Sequence, residues 1–168
     1  MKHIITIFFI FLSLPAIAEK YCVFTPIKGT EGLGGNRVRN ITQLPDGRMM
    51  IITEGLLNLY DGTDFNYLHY NHKHFCPLSA YSGFHHEYID SHGYMWIKNQ
   101  YQLMVVDIKH ECLVEQPDSL LATWGISSPI KDFFMDKTKN IWIINDKDEL
   151  ILVDKDNMKA KTFLPYSS

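Results

Sequence analysis

The sequence has few cysteines and no cysteine motif. Its three cysteines are Cys22, Cys76 and Cys112, so at most one internal disulfide is possible. None of them stands in the C-x-x-C spacing that is typical of redox and zinc sites. Buried free thiols are the simpler interpretation, and whether any two of the three cysteines pair stays open at this point.

The chain also lacks an excess of basic side chains and, after its first residues, a long apolar run. The net charge is −3, which provides no electropositive surface for nucleic acid. No segment after residue 20 is long and apolar enough to span a bilayer. We therefore expect neither a nucleic-acid partner nor a membrane span in the mature chain.

Motifs of catalytic and metal chemistry are absent as well. The sequence contains no G-x-S-x-G nucleophile elbow and no H-E-x-x-H zinc motif. Its carboxylates stand in turns, where an aspartate side chain bonds the nearby backbone. A group of aspartates near the C-terminus lacks the spacing, the glycine and the closing glutamate of an EF-hand loop. This group consists of Asp146, Asp148, Asp154 and Asp156. No catalytic residue, metal ligand or cofactor is predicted.

The first eighteen residues are typical of a secretory signal peptide. A short polar start is followed by an apolar stretch from Ile4 to Leu14, and then by Ala16-Ile17-Ala18 as an A-x-A cleavage site. The apolar stretch is about half the length of a spanning helix, which disfavours an uncleaved anchor. We predict residues 1–18 as the signal peptide, residues 19–168 as the mature chain, and a periplasmic or secreted location.

The mature chain contains an internal repeat. The segment GYMWIKNQYQLMVVD, residues 93–107, matches GRMMIITEGLLNLYD, residues 47–61, and a forward shift of 46 residues places Trp96 on Trp142. The third copy slips by one residue, and we predict the extra residue in the turn 145–148. A period near 45 residues made of short strands is typical of β-propeller blades.

Each copy divides into four short runs rich in β-branched and aromatic residues, separated by turn residues. We therefore predict an all-β fold of about three blades, each with four antiparallel strands. Three blades form an incomplete ring, because a closed propeller needs at least four. The predicted strands are 38–44, 49–53, 57–60 and 65–70 in the first copy, 87–90, 95–98, 103–107 and 111–115 in the second, and 130–135, 141–144, 150–153 and 161–164 in the third.

The repeated positions have mechanical roles. Trp96 and Trp142 are predicted to fill the core between blades, together with the leucine that opens each third strand. The turn before each second strand favours positive φ, which Gly47 and Gly93 provide. The third copy has a lysine at this position, and we predict that the following Asn140 takes the left-handed conformation. The aspartate after each third strand is predicted to bond the backbone of its turn.

The first copy, from Gly32 to Phe65, resembles the propeller repeat of two-component regulators. Its matching residues are Gly32, Leu33, Asn36, Val38, Asp46, Gly47, Leu57, Tyr60, Asp61 and Gly62. The other two copies match through Asp90, Gly93, Trp96, Ile97 and Asp107, and through Asp136, Trp142, Ile143 and Asp154. Met50 in place of tryptophan and Glu54-Gly55 in the hairpin turn depart from the repeat.

This resemblance implies the periplasmic sensor half of a hybrid two-component regulator, many of which respond to oligosaccharides. In that family, propellers precede a β-sandwich, a membrane helix and a histidine kinase. We therefore expect an entering strand at 21–26 and blades at 36–70, 85–116 and 129–165. The chain would be the amino-terminal part of such a sensor, and it would not be catalytic by itself. Its expected partners are an oligosaccharide and either the remaining blades of a parent sensor or a second copy of the chain.

Two other functions stay open. Two chains could assemble into a secreted lectin-like propeller, because exposed sheet edges favour pairing with another chain. A propeller enzyme, such as a lyase or glycosidase, would instead require a converging set of histidine, tyrosine or carboxylate residues.

Two groups of side chains are candidates for a ligand site, although the sequence assigns neither. Clustered histidines could bind zinc or copper, but they lie on the link between two copies, where a polar surface loop is expected. These are His69, His72 and His74, followed by His85 and His86. Loop aromatics could stack on sugar rings, although tyrosine also packs on strands. These are Tyr67, Tyr70, Tyr81, Phe84 and Tyr101.

We expect export to remove residues 1–18, so that the mature protein begins at Glu19. The physical reason is the small-residue cleavage site that follows an apolar stretch too short to anchor the chain. Intact-mass spectrometry of the exported protein measures this directly. A membrane-bound product that retains Met1 would contradict the prediction.

Overall fold

The computed structural model describes residues 26–27, 29, 32–79 and 82–164. The predicted signal peptide and Cys22 lie outside the described residues. The predicted entering strand at 21–26 also lies outside them, except for Pro26, which is not part of a strand.

In the described part of the chain, thirteen strands form three antiparallel sheets. The first sheet consists, in spatial order, of β1 (Val38–Gln43), β2 (Met49–Thr53), β3 (Leu56–Tyr60) and β4 (Phe65–His69). The second contains β5 (Phe75–Pro77), β6 (His86–Ile89), β7 (Tyr94–Lys98), β8 (Gln102–Asp107) and β9 (Cys112–Leu113). The third consists of β10 (Ile130–Met135), β11 (Ile141–Asn145), β12 (Leu150–Val153) and β13 (Ala160–Phe163). The predicted all-β class is confirmed, with antiparallel sheets of four or five strands.

Two short helical elements accompany the strands. A 3₁₀ turn covers His72–His74, and the helix α1 covers Pro117–Thr123. Among the described residues, no helix has the length and apolarity needed to cross a membrane.

The three sheets pack face to face through two apolar layers. The layer between the first and second sheets includes Met50, Ile52, Leu57, Met95, Ile97 and Met104. The layer between the second and third sheets includes Trp96, Leu103, Val105, Phe133, Ile143 and Val153. At its centre the Trp96 ring, which is 0% exposed, stacks on Phe133 with a centroid separation of 4.9 Å. Successive side chains of a strand point to opposite faces, so β7 contributes Met95 and Ile97 to one layer and Trp96 to the other.

An aspartate holds the indole of each repeat tryptophan. The Nε1–H of Trp96 donates to Asp90 at 2.8 Å, and that of Trp142 donates to Asp136 at 2.9 Å. The other carboxylate oxygen of each aspartate accepts two backbone N–H groups of the turn before the second strand. Burial alone would raise the pKa of Asp136, but the hydrogen bonds from Thr138, Trp142 and Asn140 outweigh it and lower the pKa to about 2.

The first repeat replaces this polar pair with an apolar one. The backbone N–H of Leu44 donates to Arg48 at 2.8 Å, just as the N–H of Asp90 donates to Tyr94 at 3.0 Å. Leu44 therefore occupies the position of Asp90, and Met50 that of Trp96. A methionine side chain has no N–H that needs a buried acceptor. The first repeat therefore lacks both the tryptophan and the aspartate that binds it.

The turns confirm most of the sequence predictions and correct one. Gly47 and Gly93 have φ values of 91° and 87°. In the third copy Lys139 itself has a φ of 72°, so the prediction that Asn140 takes this conformation is wrong. The Asn140 side chain instead donates from Nδ2 to Thr138 Oγ1 at 2.9 Å, and its Oδ1 accepts the backbone N–H of Lys155.

The extra residue of the third copy lies where the slip predicted it. In the second copy the backbone N–H of Asn99 donates to Gln102, which leaves two residues in the turn. In the third copy the N–H of Asn145 donates to Glu149, which leaves three. The predicted aspartate contacts are also present, since Asp61, Asp107 and Asp154 each accept backbone N–H groups of the following turn.

The prediction that Trp142 and Leu150 are core residues is wrong. Trp142 is only half-buried and Leu150 is 39% exposed, whereas Trp96 and Leu103 are both 0% exposed. The difference arises because the third sheet covers Trp96, whereas Trp142 is approached by Phe163 of its own sheet, with ring centroids 6.5 Å apart, and by no other described sheet.

The edge of the second sheet also departs from the predicted pattern. The predicted fourth strand at 111–115 is only the two residues of β9, which pair with the end of β8. The beginning of β8 pairs instead with β5, which comes from the link between the first two copies. The predicted surface loop in this link therefore contains a strand, and Cys76 on that strand is buried.

The helix α1 was missed by the strand-based reading of the sequence. Its signals are Pro117 in the first turn, Asp118 beside it, and Gly125 just after the helix with a φ of 90°. Leu121 and Trp124 point into the layer between the second and third sheets, where the Trp124 ring lies 5.1 Å from that of Trp96.

We expect Asp90→Asn to lower the free energy of unfolding by about 1–3 kcal/mol, because the amide N–H₂ would oppose the buried indole N–H. In a Trp96→Phe background the same change should cost much less, since phenylalanine has no N–H. Asp136→Asn is the matched control, because its tryptophan is partly open to water. Urea unfolding of the four variants measures the coupling, and an equal cost of Asp90→Asn in both backgrounds would show that the indole contact is unimportant.

Candidate functional site

Strands β1, β6 and β10 each form one edge of a sheet. The polar and aromatic side chains at this edge form a group that we call the inner-edge cluster. Contacts between neighbouring sheets connect the strands: Asn40 on β1 donates to Glu87 on β6, and Lys98 pairs with Asp132 on β10. The β2–β3 and β7–β8 hairpin turns lie at the end where β1 and β6 begin, because Val38 pairs with Thr53 and His86 pairs with Lys98. The cluster consists of Arg37, Arg39, Glu54, Phe84, His85, Glu87, Lys98, Tyr101 and Asp132.

The charges over the first sheet are exposed and paired with one another. Glu54 in the β2–β3 turn accepts from Arg37 at 3.1 Å and also from Arg39. The side chains of the two arginines are 74% and 57% exposed. Arg37, and then Arg39, lower the pKa of Glu54 below its ordinary value. Exposed pairs of this kind contribute little to stability, so these side chains are free to rearrange around a ligand.

The ion pair between the second and third sheets joins a buried lysine to a half-buried aspartate. Lys98 is 3% exposed although it ends an apolar strand, and its Nζ pairs with Asp132, whose side chain is 29% exposed. The ring centroid of the neighbouring Tyr88 lies 5.9 Å from that of Phe133. Burial, and then the charges of Asp132 and Glu87, raise the pKa of the Tyr88 hydroxyl to about 12. A buried lysine needs such a partner because an unpaired charge in this layer would be very unfavourable.

Two aromatic side chains project from the second sheet into solvent at this end. Phe84 is 86% exposed and precedes β6, while Tyr101 is 69% exposed in the β7–β8 turn. The hydroxyl of Ser82 donates to the backbone carbonyls of Asn99, at 3.0 Å, and Gln100. This contact ties the segment that carries Phe84 to the turn that carries Tyr101.

The turn that carries Tyr101 is itself held by a side chain. Oδ1 of Asn99 accepts the backbone N–H of Tyr101 at 2.8 Å and that of Gln102 at 3.0 Å. Rigid backbone beneath exposed rings lowers the conformational entropy lost when a ligand stacks on them. The arrangement therefore suits recognition of a ligand by stacking and hydrogen bonding.

The aromatic residues singled out in the sequence divide into three groups. Phe84 and Tyr101 belong to the inner-edge cluster. Tyr67 donates its hydroxyl to the carbonyl of Gly32, and Tyr70 packs 5.9 Å from Phe75, so both have structural roles. Tyr81 lies outside the described residues.

The histidines do not converge on a metal site in the described part of the chain. No group of three histidine, cysteine or carboxylate residues has a metal-binding arrangement there. His69 ends β4, His74 ends the 3₁₀ turn, and His85 pairs with Glu87 at 2.5 Å in the inner-edge cluster.

Sequence reasoning missed the charged members of the cluster. Lys98 directly follows the apolar run Met95-Trp96-Ile97, and its place on the Trp96 face could have flagged it as a buried charge. Its partner Asp132 stands in the next copy, and no local pattern connects the two residues.

A separate groove lies between α1 and the start of β10. Its volume is about 550 Å³, and its walls are mainly apolar or small side chains, including Leu121, Ile126 and Ser128. Cys76 is one of its lining residues, and burial, and then Asp118, raise the pKa of this thiol far above its ordinary value. This thiol is therefore unreactive at neutral pH. In the part of the chain that the structure describes, neither Cys76 nor the exposed Cys112 forms a disulfide.

No protein-family model and no curated protein matches the sequence. Among solved structures, the chain is similar to the extracellular domain of a putative hybrid two-component system from B. thetaiotaomicron, with 18% identity over 83% of this chain and a TM-score of 0.49. It is also similar to the extracellular domain of a putative one-component system from the same organism, with 19% identity over 77% of this chain and a TM-score of 0.43. The match covers 20% and 18% of those two chains, so this chain spans about a fifth of their length.

We expect Lys98→Met to destabilise the protein by about 1–3 kcal/mol, because it leaves the half-buried Asp132 without its partner beside an apolar layer. Adding Asp132→Asn should recover part of the loss. The matched control is Lys131→Met, whose partner Asp148 is 73% exposed, and its cost should stay below about 1 kcal/mol. Urea unfolding measures all three, and equal losses for Lys98→Met and Lys131→Met would contradict the buried pairing.

Proposed function

We propose that this chain is an exported sensory module that binds an oligosaccharide and does not catalyse a reaction by itself. In this proposal the three sheets are blades of a β-propeller, covering residues 36–70, 85–116 and 129–165 of the mature chain 19–168. Two observations support it. The 46-residue repeat corresponds to three sheets in which three successive strands pair in the same order, β1-β2-β3, β6-β7-β8 and β10-β11-β12, and the sequence of the first copy resembles the propeller repeat of two-component regulators.

The observation that carries the ligand proposal is the pair of exposed aromatic rings in the inner-edge cluster. Phe84 and Tyr101 are the most exposed aromatic side chains of the described chain, and both stand on backbone held by Ser82 and Asn99. Exposed rings on a braced backbone can stack on a ligand with little loss of conformational entropy.

The chemistry around the rings suits a sugar. The C–H face of a sugar ring stacks on an aromatic ring, and its hydroxyls bond to charged and amide groups. The exposed Arg37, Arg39 and Glu54 provide donors and acceptors on the neighbouring sheet. Packed sheets lie about 10 Å apart, so a ligand that contacts both must be longer than one sugar ring, which favours an oligosaccharide over a monosaccharide.

The charge state of the cluster disfavours the alternative of a glycosidase or lyase. A glycosidase needs one carboxyl group with a raised pKa as the general acid. The pKa of Glu54 is lowered by two arginines, which keeps it ionised at neutral pH. Glu87 is occupied by His85 and Asn40.

The location and partners follow from the same proposal. An exported module of this kind would lie in the periplasm or outside the cell. It would pass its binding signal to the rest of a regulator, with which it shares the propeller.

The proposal predicts that one or more members of a panel of neutral and acidic oligosaccharides bind the mature protein. Phe84→Ala and Tyr101→Ala should each weaken this binding about 5–30-fold, which corresponds to about 1–2 kcal/mol of lost stacking. Phe163→Ala, an exposed aromatic on the far sheet edge, is the matched control and should leave the affinity unchanged.

Isothermal titration calorimetry measures these affinities, and thermal unfolding checks that each variant stays folded. Binding that is insensitive to Phe84 and Tyr101 would place the site elsewhere. Turnover of the bound oligosaccharide, detected by chromatography of the recovered ligand, would contradict the non-catalytic part of the proposal.

A further inference from the structure

Each repeat has a basic side chain at the same position, just before the regular pairing of its first strand begins. These three side chains, which we call the basic row, are Arg39, His85 and Lys131. The regular pairing starts with the next residue in each sheet, which is Asn40, His86 or Asp132. In the first and third sheets the register shifts at the basic residue, and a bulge of this kind re-aims a side chain. The row therefore follows the same edge and the same end of the three sheets.

Two members of the basic row are paired with exposed carboxylates in hairpin turns. In the first sheet Arg39 donates to Glu54 in the β2–β3 turn. In the third sheet Lys131 donates to Asp148 in the β11–β12 turn at 2.6 Å. The side chains of Glu54 and Asp148 are 51% and 73% exposed. Pairs this open to water contribute little to stability, so an anionic group of a ligand can replace either carboxylate at small cost.

The second sheet has an aromatic ring where the other two sheets have these carboxylates. Its β7–β8 turn contains Tyr101 and no carboxylate, and Phe84 directly precedes His85. The second sheet packs between the first and the third. A sugar that stacks on the two rings therefore has Arg39 on the sheet to one side and Lys131 on the sheet to the other.

The basic charge over the first sheet exceeds the acidic charge that faces it. Arg37 and Arg39 both donate to the same oxygen, Oε1 of Glu54, and the Arg37 bond is 3.1 Å long. A guanidinium group has five N–H donors in a planar fork that fits an oxyanion, so two such groups offer more donors than one carboxylate oxygen uses. The other carboxylates of the inner-edge cluster, Glu87 and Asp132, already have partners.

We propose that the oligosaccharide bound at the inner-edge cluster is anionic, and that its carboxylate or sulfate groups replace Glu54 and Asp148 beside the basic row. The sugar rings stack on the two exposed aromatic side chains between these anion sites. Glu54 is then an internal competitor, which occupies the anion site of the two arginines until a ligand displaces it. This inference rests on the proposed function and adds to it the chemical class of the ligand.

The test compares oligosaccharides that differ only in charge. Galacturonic acid hexasaccharides and their methyl esters present the same sugar rings with and without carboxylates. Carrageenan hexasaccharides and their desulfated forms make the same comparison for sulfate. Isothermal titration calorimetry should show that an acidic form binds more tightly than its neutral counterpart, and that sodium chloride weakens only the acidic form, because salt screens exposed charges. The pair that shows the difference identifies the anionic group.

Charge variants separate ligand recognition from an ordinary surface ion pair. Arg39→Gln should weaken binding of the acidic form about 5–20-fold, because a charge-assisted hydrogen bond is lost, and Arg39→Lys should restore part of it. Glu54→Gln should strengthen binding about 2–5-fold, because the competing carboxylate is gone. The matched control is Lys155→Gln, which removes one charge from the β12–β13 turn at the opposite end of the third sheet. It should leave the affinity unchanged, and thermal unfolding checks that every variant is folded.

Three outcomes would overturn this inference while leaving the proposed function in place. The first is a neutral oligosaccharide that binds as tightly as its acidic form, or neutral forms that bind alone. The second is an affinity for the acidic form that Glu54→Gln leaves unchanged or lowers. The third is an equal loss of affinity in Arg39→Gln and Lys155→Gln, which would indicate non-specific attraction to positive charge. Failure of every neutral and acidic oligosaccharide to bind would overturn the proposed function, and this inference with it.

Discussion

The packing of this protein depends on a buried indole with a satisfied N–H group. Trp96 lies between the second and third sheets, where its ring stacks on Phe133 and its N–H donates to Asp90. The aspartate also binds the turn that precedes the tryptophan strand, so one carboxylate fixes both the turn and the ring. An unsatisfied indole N–H in this layer would cost about 1–3 kcal/mol. The first repeat avoids this cost in another way, by placing Leu44 and Met50 at the two positions.

The sequence predicted the elements whose cause is local. The 46-residue period, the alternation of apolar residues and the turn glycines predicted β2, β10 and β12 with the bounds that the structure shows. The extra residue in the third hairpin was predicted from the slip between copies. These features depend on side chains a few residues apart, so a single sequence reveals them.

The features that the sequence did not reveal depend on contacts between copies. Lys98 is buried only because Asp132, in the next copy, lies beside it. Trp142 repeats Trp96 in sequence, but its exposure depends on which element packs against its sheet. For the candidate site, Phe84 and Tyr101 were predicted as loop aromatics, whereas the arginines and carboxylates beside them come from separate strands that only the stacked sheets bring together.

The edge of the second sheet is formed by both β5 and β9, so the segment that repeats in the sequence is not the same as the segment that folds into one sheet. The repeat in the sequence suggests three interchangeable segments, but β5 belongs to the link that follows the first copy and pairs within the second sheet. A genetic exchange that inserted, removed or swapped one 46-residue segment would leave the first half of β8 without the strand β5 that pairs with it. Recombination of such modules would therefore succeed only at breakpoints before Phe75, so that the link is inherited with the sheet it completes and not with the repeat it follows.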